Sequence, residues 1–140
     1  MKFLNALRPF ALLTLRIVLG IVFLYHGYPK LAHSGGGMQG AFVEHGLPAY
    51  FVYVAGILET FGGLLFFLGL FVRGAGLLLA IEMCIAIWKF HSQSYFAVHN
   101  YEFPMSLAAA CFALASVGGG AISLDQVLFE GGGKAPRRQG

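Results

Sequence analysis

The sequence predicts an all-α fold: an integral membrane four-helix bundle with both termini in the cytoplasm. Of its 140 residues, 58% are hydrophobic and only 11% are charged, whereas soluble domains carry about 25% charged residues. The apolar residues fall into four runs, namely residues 9–31, 50–71, 74–90 and 103–118. Their lengths suit membrane-spanning helices, although the last two runs are short and need their flanking residues to span the bilayer. We expect one domain, with these helices in residues 1–130 and a disordered tail over residues 131–140.

The positions of the basic residues predict the topology. Cytoplasmic loops of membrane proteins carry an excess of lysine and arginine. Most of the basic residues lie before the first run, in the turn after the second, or near the carboxyl terminus: Lys2, Arg8, Arg73, Lys134, Arg137 and Arg138, against Lys30 and Lys89 on the other side. We therefore expect a multi-pass membrane protein with both termini in the cytoplasm. We expect no nucleic acid partner, because these residues form no basic stripe.

The predicted helices have recognisable ends. Helix one tolerates Pro9 in its early turns, and Pro29 should kink or end it. In the loop that follows, residues 41–46 could form a short interfacial helix that ends at a glycine. Residues 69–73 make a turn that can connect only antiparallel neighbours. Glu102 precedes helix four, where a negative charge is favourable at a helix N-terminus.

Three ionisable residues are predicted to lie inside the hydrocarbon. Arg16 is in helix one, Glu59 near the middle of helix two, and Glu82 about halfway along helix three. A charge at such a position costs roughly 2.5 to 3.5 kcal/mol on insertion scales, so we expect the three to pair. One arginine can serve two carboxylates only if one of these is protonated or if another cation reaches them. We expect one of the two glutamates to be neutral at pH 7.

Helix one also carries polar residues towards its outer end. His26 and Lys30 lie near the helix face that carries Arg16, so that face is basic along its length. The candidate buried polar cluster therefore consists of Arg16, Glu59, Glu82, His26 and Lys30. Such a cluster is either a functional site or a structural ion pair that orients the helices, and both interpretations stay open.

No cofactor motif accompanies this cluster. The sequence has no Cys-x-x-Cys pair and no flavin or nicotinamide fingerprint, so an electron carrier is expected to belong to a partner. Cys84 and Cys111 lie in different helices and are interpreted as small core residues. The histidines show no metal-ligand spacing, and no metal is expected: His26, His33, His45, His91 and His99.

A set of short motifs runs through the chain. An arginine in helix one is followed by His-Gly-x-x-Lys-Leu, then by Glu-x-x-Gly-Gly in helix two and Leu-Gly-Leu-x-x-Arg at its end. An acidic residue precedes helix four, and Gly-x-Gly-x-x-Ser-Leu-Asp follows it. Together, over about residues 12–126, these motifs resemble the DoxX family of small bacterial membrane proteins. They comprise Arg16, His26, Gly27, Lys30, Leu31, Glu59, Gly62, Gly63, Gly69, Arg73, Glu102, Gly118, Gly120, Ser123, Leu124 and Asp125.

The resemblance implies a four-helix, multi-pass protein of the bacterial inner membrane. Relatives in this family are linked to thiosulfate:quinone oxidoreductase or to membrane redox assemblies. The leading hypothesis is an inner-membrane redox-associated subunit that contacts a quinone or relays its protons through the polar cluster. The alternative is a non-catalytic accessory or structural subunit of a larger membrane complex. The expected partners are the lipid bilayer and other membrane redox proteins, with a second copy of the chain as a further option. Whether the chain is itself an enzyme is left open.

Overall fold

The computed structural model describes residues 2–33, 37–90 and 101–131, and these residues form helices and turns with no strand. The prediction of an all-α protein is confirmed. Four helices are long and one is short, and a π-helical turn follows the last of them. Their bounds are Lys2–Ala32 (α1), Gln39–Glu44 (α2), Phe51–Leu68 (α3), Val72–Phe90 (α4), Glu102–Val117 (α5) and Gln126–Glu130 (the π-helical turn).

The first helix is longer than the sequence predicted. It begins at Lys2, before Pro9, and it continues beyond Pro29 to Ala32. Pro29 does not end the helix, and its carbonyl accepts a hydrogen bond of 3.1 Å from the N–H of His33. The short helix expected in the next loop is present as α2, while most of the predicted disordered tail, residues 132–140, lies outside the described residues.

Within the described residues, two helices are long and apolar enough to cross a membrane: α1 and α3. The helix α5 is apolar but shorter. The helix α4 has the length, but three charged residues interrupt it: Arg73, Glu82 and Lys89. Core helices of soluble proteins can have the same length and composition, so these two helices do not by themselves show that the protein lies in a membrane.

The long helices pack chiefly as two pairs. The helix α1 lies along α3, and α4 lies along α5, whereas α3 and α4 contact each other over a smaller part of their length. Glycines allow the close approach within each pair. A Cβ atom on Gly27 of α1 would lie 2.6 Å from the backbone nitrogen of Thr60, and one on Gly76 of α4 would lie 2.7 Å from the carbonyl oxygen of Cys111.

One apolar core joins the two pairs. Phe23 of α1 and Phe66 of α3 meet edge to face, with ring centroids 6.2 Å apart. Leu79 of α4 and Cys111 and Leu114 of α5 complete the same buried cluster. The core therefore holds α1, α3, α4 and α5 together, and the smaller contact between α3 and α4 leaves room for a cavity.

The segment after α5 returns to the turn between α3 and α4. The carboxylate of Asp125 accepts hydrogen bonds from the N–H groups of Phe71 and Val72, at 2.7 and 2.9 Å. The N–H of Asp125 donates to the carbonyl of Gly69 at 2.9 Å. The motif Leu-Gly-Leu-x-x-Arg, at the end of α3, and the motif Gly-x-Gly-x-x-Ser-Leu-Asp, after α5, thus meet at one end of the molecule.

Candidate functional site

A buried ion pair connects α1 to α3. The ammonium nitrogen of Lys30 lies 2.6 Å from a carboxylate oxygen of Glu59, and the two side chains are only 11% and 6% exposed. Two glycines bring these helices together at this level. A Cβ atom on Gly27 would lie 2.7 Å from the Cβ of Glu59, and one on Gly56 would lie 2.9 Å from the Cβ of Lys30. The motif His-Gly-x-x-Lys therefore supplies both the close approach and the cation.

A second carboxyl group is buried without a hydrogen-bond partner. Both side-chain oxygens of Glu82, on α4, are buried and make no hydrogen bond to any described residue. Burying a polar group without a partner is costly. A carboxyl group left in this state within a fold is a common sign of a ligand or proton site.

Lys30, Glu59 and Glu82 line one cavity of about 580 Å³ between α3 and α4. The rest of its lining is almost wholly apolar and includes Phe51, Ala55 and Ile81. The cavity thus offers one ammonium group and two carboxyl groups to a ligand that is otherwise in apolar surroundings.

The helix α2 covers one end of this cavity. Phe42 of α2 also lines it, and its ring packs edge to face on Phe90 of α4, with centroids 4.9 Å apart. The ring of His45 lies over the same phenyl ring at 4.6 Å. Neither Phe42 nor Phe90 belongs to the sequence motifs or to the predicted polar cluster. The signal that could have found them is the apolar side of the short helix, which needs a partner.

Arg16 does not join the other members of the predicted cluster, so that part of the prediction is wrong. Its side chain is 2% exposed, and a guanidinium nitrogen donates to the carbonyl of Gly119 at 2.9 Å. It packs on Gly69, in the turn between α3 and α4. The physical reason is helix length. Arg16 and Lys30 are fourteen residues apart, which is roughly 21 Å along a helix at 1.5 Å per residue. The two cations therefore lie far apart along α1 and cannot share one cluster.

His26 is also outside the cavity. His26 is exposed, and its ring nitrogen Nδ1 donates a hydrogen bond of 2.9 Å to the carbonyl of Val22. Its ring centroid lies 5.6 Å from that of Phe103 on α5. Of the five residues predicted to form the cluster, the structure brings together Lys30, Glu59 and Glu82. The alternative in which Lys30, and not Arg16, reaches a glutamate is the one that the structure shows.

Cysteines and histidines form no further site in the described part of the chain. No group of three histidine, cysteine, aspartate or glutamate residues there could hold a metal ion. His91 and His99 lie outside the described residues. Cys111 is buried, as predicted for a core residue, whereas Cys84 is exposed on α4.

Comparisons with known proteins find relatives of this chain. A Bacillus subtilis protein provisionally named an oxidoreductase, CatD, is 35% identical over 119 residues, which cover 85% of this chain and 87% of the relative. An uncharacterised protein of Haemophilus influenzae is 33% identical over 93% of this chain and 99% of its own length. An uncharacterised membrane protein of Mycobacterium tuberculosis, Rv3486, is 34% identical over 61% of this chain and 54% of its own length. No solved structure matches the chain.

The apolar helices and these relatives define the class as a helical membrane protein. The DoxX family model matches residues 11–92, which is more than half of the chain. The chain belongs to the DoxX family, as its motifs predicted.

Proposed function

We propose that this protein is a redox-associated subunit of the bacterial inner membrane that binds a quinone in the cavity between α3 and α4. In this proposal α1, α3, α4 and α5 all span the bilayer as a four-helix bundle, with both termini in the cytoplasm. The family, the provisional name of the Bacillus subtilis relative and the apolar helices support a membrane protein with a redox association.

The cavity lined by Lys30, Glu59 and Glu82 is the observation that carries the quinone proposal. Its volume of about 580 Å³ falls within the range of about 300 to 1,000 Å³ that is usual for small-molecule sites. Its apolar walls suit a ring with hydrophobic substituents, and its few polar groups suit the ring oxygens. A quinone is a neutral ring of this kind, and it is dissolved in the bilayer that surrounds the protein.

Each polar residue has a distinct part in the proposal. The ammonium group of Lys30, held by Glu59, donates a hydrogen bond to one quinone oxygen. The carboxyl group of Glu82 exchanges a proton with the ring as its redox state changes. Reduction of a quinone to a hydroquinone takes up two electrons and two protons. Glu82 supplies the first proton, regains a proton from water, and then supplies the second. The electrons come from a redox partner protein, because the chain contains no flavin, nicotinamide or haem motif.

The proposal is tested by measuring quinone in protein purified under mild conditions. An organic extract of the solubilised wild type, analysed by mass spectrometry, should contain close to one quinone per chain. Glu82→Gln should lower this content at least several-fold, because the amide cannot supply the proton or match the carboxyl group. Glu44→Gln, an exposed position on α2, is the matched control and should leave the content unchanged. Equal quinone in all three proteins, or none above the lipid background, would contradict the proposal.

A non-catalytic accessory subunit is the second candidate, and the buried pair of Lys30 and Glu59 favours it, since this pair also holds α1 to α3. Glycine-lined helix faces would support this candidate if they were free to receive a partner. Gly27, Gly63 and Gly76 instead contact neighbouring helices of the same chain. If Glu82→Gln changed the yield of a larger complex but not the quinone content, the accessory function would be favoured.

A further inference from the structure

A second cavity lies at the opposite end of the molecule from α2. Its volume is about 470 Å³, and it is bounded by the first turns of α1, the turn between α3 and α4, and the loop after α5. Arg8 and Arg73 both line it, together with the glycine loop, defined here as residues 118–120. The proposed quinone site does not use any of these residues.

The two arginines have little to bind within the protein. Arg8 makes no ion pair or hydrogen bond to any described residue, and Arg73 makes one long contact of 3.4 Å to the carbonyl of Val117. Two carboxylates also line the cavity. Asp125 is occupied by the N–H groups of Phe71 and Val72, and Glu130 forms no ion pair in the described part of the chain. Two guanidinium groups and one carboxylate, that of Glu130, are therefore without an ion pair among the described residues that line this cavity.

The glycine loop adds backbone donors. Gly118 and Gly120 have φ values of +87° and +80°, a conformation that favours glycine. The carbonyl of Gly119 accepts from Arg16, while the N–H groups of Gly119, Gly120 and Ala121 have no acceptor among the described residues. Successive free N–H groups in a turn can bind anions.

Exposed aromatic residues border the same cavity. The rings of Phe71 and Phe129 lie 5.5 Å apart and are 58% and 61% exposed. A site lined by two exposed arginines and the glycine loop, with apolar rings at its edge, matches a molecule with an anionic head and an apolar body. Basic pockets between membrane helices are typical sites for anionic lipid head groups.

We propose that this cavity binds the phosphate group of an anionic membrane lipid, held by Arg8, Arg73 and the N–H groups of the glycine loop. Arginine binds phosphate oxygens through paired, charge-assisted hydrogen bonds. The lipid chains then lie along Phe71 and Phe129. The lipid would fasten the start of α1 to the loop after α5.

Native mass spectrometry of the protein released from bilayers of phosphatidylglycerol and phosphatidylcholine tests this. The wild type should retain one phosphatidylglycerol, in preference to phosphatidylcholine by about tenfold. Arg8→Gln and Arg73→Gln should each reduce that preference several-fold. Lys89→Gln removes one positive charge at the other end of α4 and should have no effect. Equal retention in the wild type and both arginine variants would overturn the proposal.

A second variant protects the test against misfolding. Ala121 is exposed and lines the cavity, so Ala121→Asp adds a negative charge there without entering the core. It should abolish the preference while leaving the helical circular dichroism spectrum and the unfolding temperature unchanged. Addition of millimolar inorganic phosphate distinguishes the two possible sources of the anion. If the lipid stays bound, the cavity binds a lipid head group. If phosphate displaces the lipid, the cavity binds free phosphate and the lipid proposal is wrong.

Discussion

Lys30 and Glu59 form a buried pair in which each charge depends on the other. Removing one partner from a buried pair leaves an uncompensated charge and typically costs about 3 to 5 kcal/mol, whereas replacing both with neutral groups of similar size is often harmless. The distance of 2.6 Å between Lys30 Nζ and a carboxylate oxygen of Glu59, and the low exposure of both side chains, make this a buried ion pair. The stability of the contact between α1 and α3 should therefore respond to charge balance at this point.

We predict that Glu59→Gln and Lys30→Met each lower the free energy of unfolding by about 3 kcal/mol. The double variant with both changes should lie within about 1 kcal/mol of the wild type, because it buries no unpaired charge. Unfolding of the detergent-solubilised proteins, followed by circular dichroism, measures all three. Lys89→Gln is the control. Additive losses in the double variant would show that the two side chains are not coupled.

Glu82 differs from Glu59 because no described residue donates a hydrogen bond to its carboxyl group. Both its oxygens are buried and make no hydrogen bond to any described residue, and a charge there would be costly. We predict that Glu82 is the neutral glutamate at pH 7. Infrared spectroscopy should show the carbonyl stretch of a protonated carboxyl group in the wild type. This band should be absent in Glu82→Gln and unaffected in Glu44→Gln. Absence of the band in the wild type would contradict this prediction.

The sequence was a good guide to which residues would be buried and a poorer guide to their partners. It placed Arg16, Glu59 and Glu82 inside apolar helices, and these positions follow from local composition. It could not show that Arg16 bonds the carbonyl of Gly119, because a backbone acceptor far along the chain leaves no mark in the residue types. His26 was included for its helix face alone, and that face meets Phe103 instead of the cavity.

At the scale of helices, glycine spacing decides which elements approach closely. Gly27 of α1 lies against the backbone of Thr60 on α3, whereas Gly74 of α4 has open space where a Cβ atom would be. The same substitution should therefore have opposite consequences at the two positions. At Gly27 a methyl group must push two helices apart, and at Gly74 it only improves helix propensity.

We predict that Gly27→Ala lowers the free energy of unfolding by about 1 to 3 kcal/mol. The matched variant Gly74→Ala should be neutral or more stable by up to about 1 kcal/mol. Thermal unfolding of the two variants beside the wild type measures the difference. A loss of stability in Gly74→Ala as large as that in Gly27→Ala would contradict the packing described for α1 and α3.

Helix positions were largely predictable, and helix ends were less so. Apolar runs indicated all four long helices, but the start of α1 at Lys2 was missed because Pro9 at an early turn fits either a first turn or a helix that already began. The closure of the α3–α4 turn by Asp125 depends on hydrogen bonds between distant segments. Such contacts follow from the assembled fold and not from any local pattern.

At the scale of the whole molecule, the proposed topology places α2 outside the cell and both termini inside. In a background with Cys84→Ala and Cys111→Ala, a membrane-impermeant thiol reagent should label Glu44→Cys in intact spheroplasts. Lys2→Cys and Glu130→Cys should be labelled only in inverted vesicles. We expect this labelling pattern because most lysines and arginines lie near the two termini and in the α3–α4 turn, and such segments usually face the cytoplasm. Labelling of either terminus from outside would contradict this topology.

The central claim is that the cavity between α3 and α4 receives a quinone ring. A quinone analogue with a photoreactive group, irradiated with the protein in lipid nanodiscs, should label peptides of α3 and α4 around Ala55 and Ile81. Ala55→Phe should fill the cavity and abolish this labelling, whereas Ala109→Phe, exposed on α5, should not. Labelling concentrated on α5, or unchanged in Ala55→Phe, would contradict the claim.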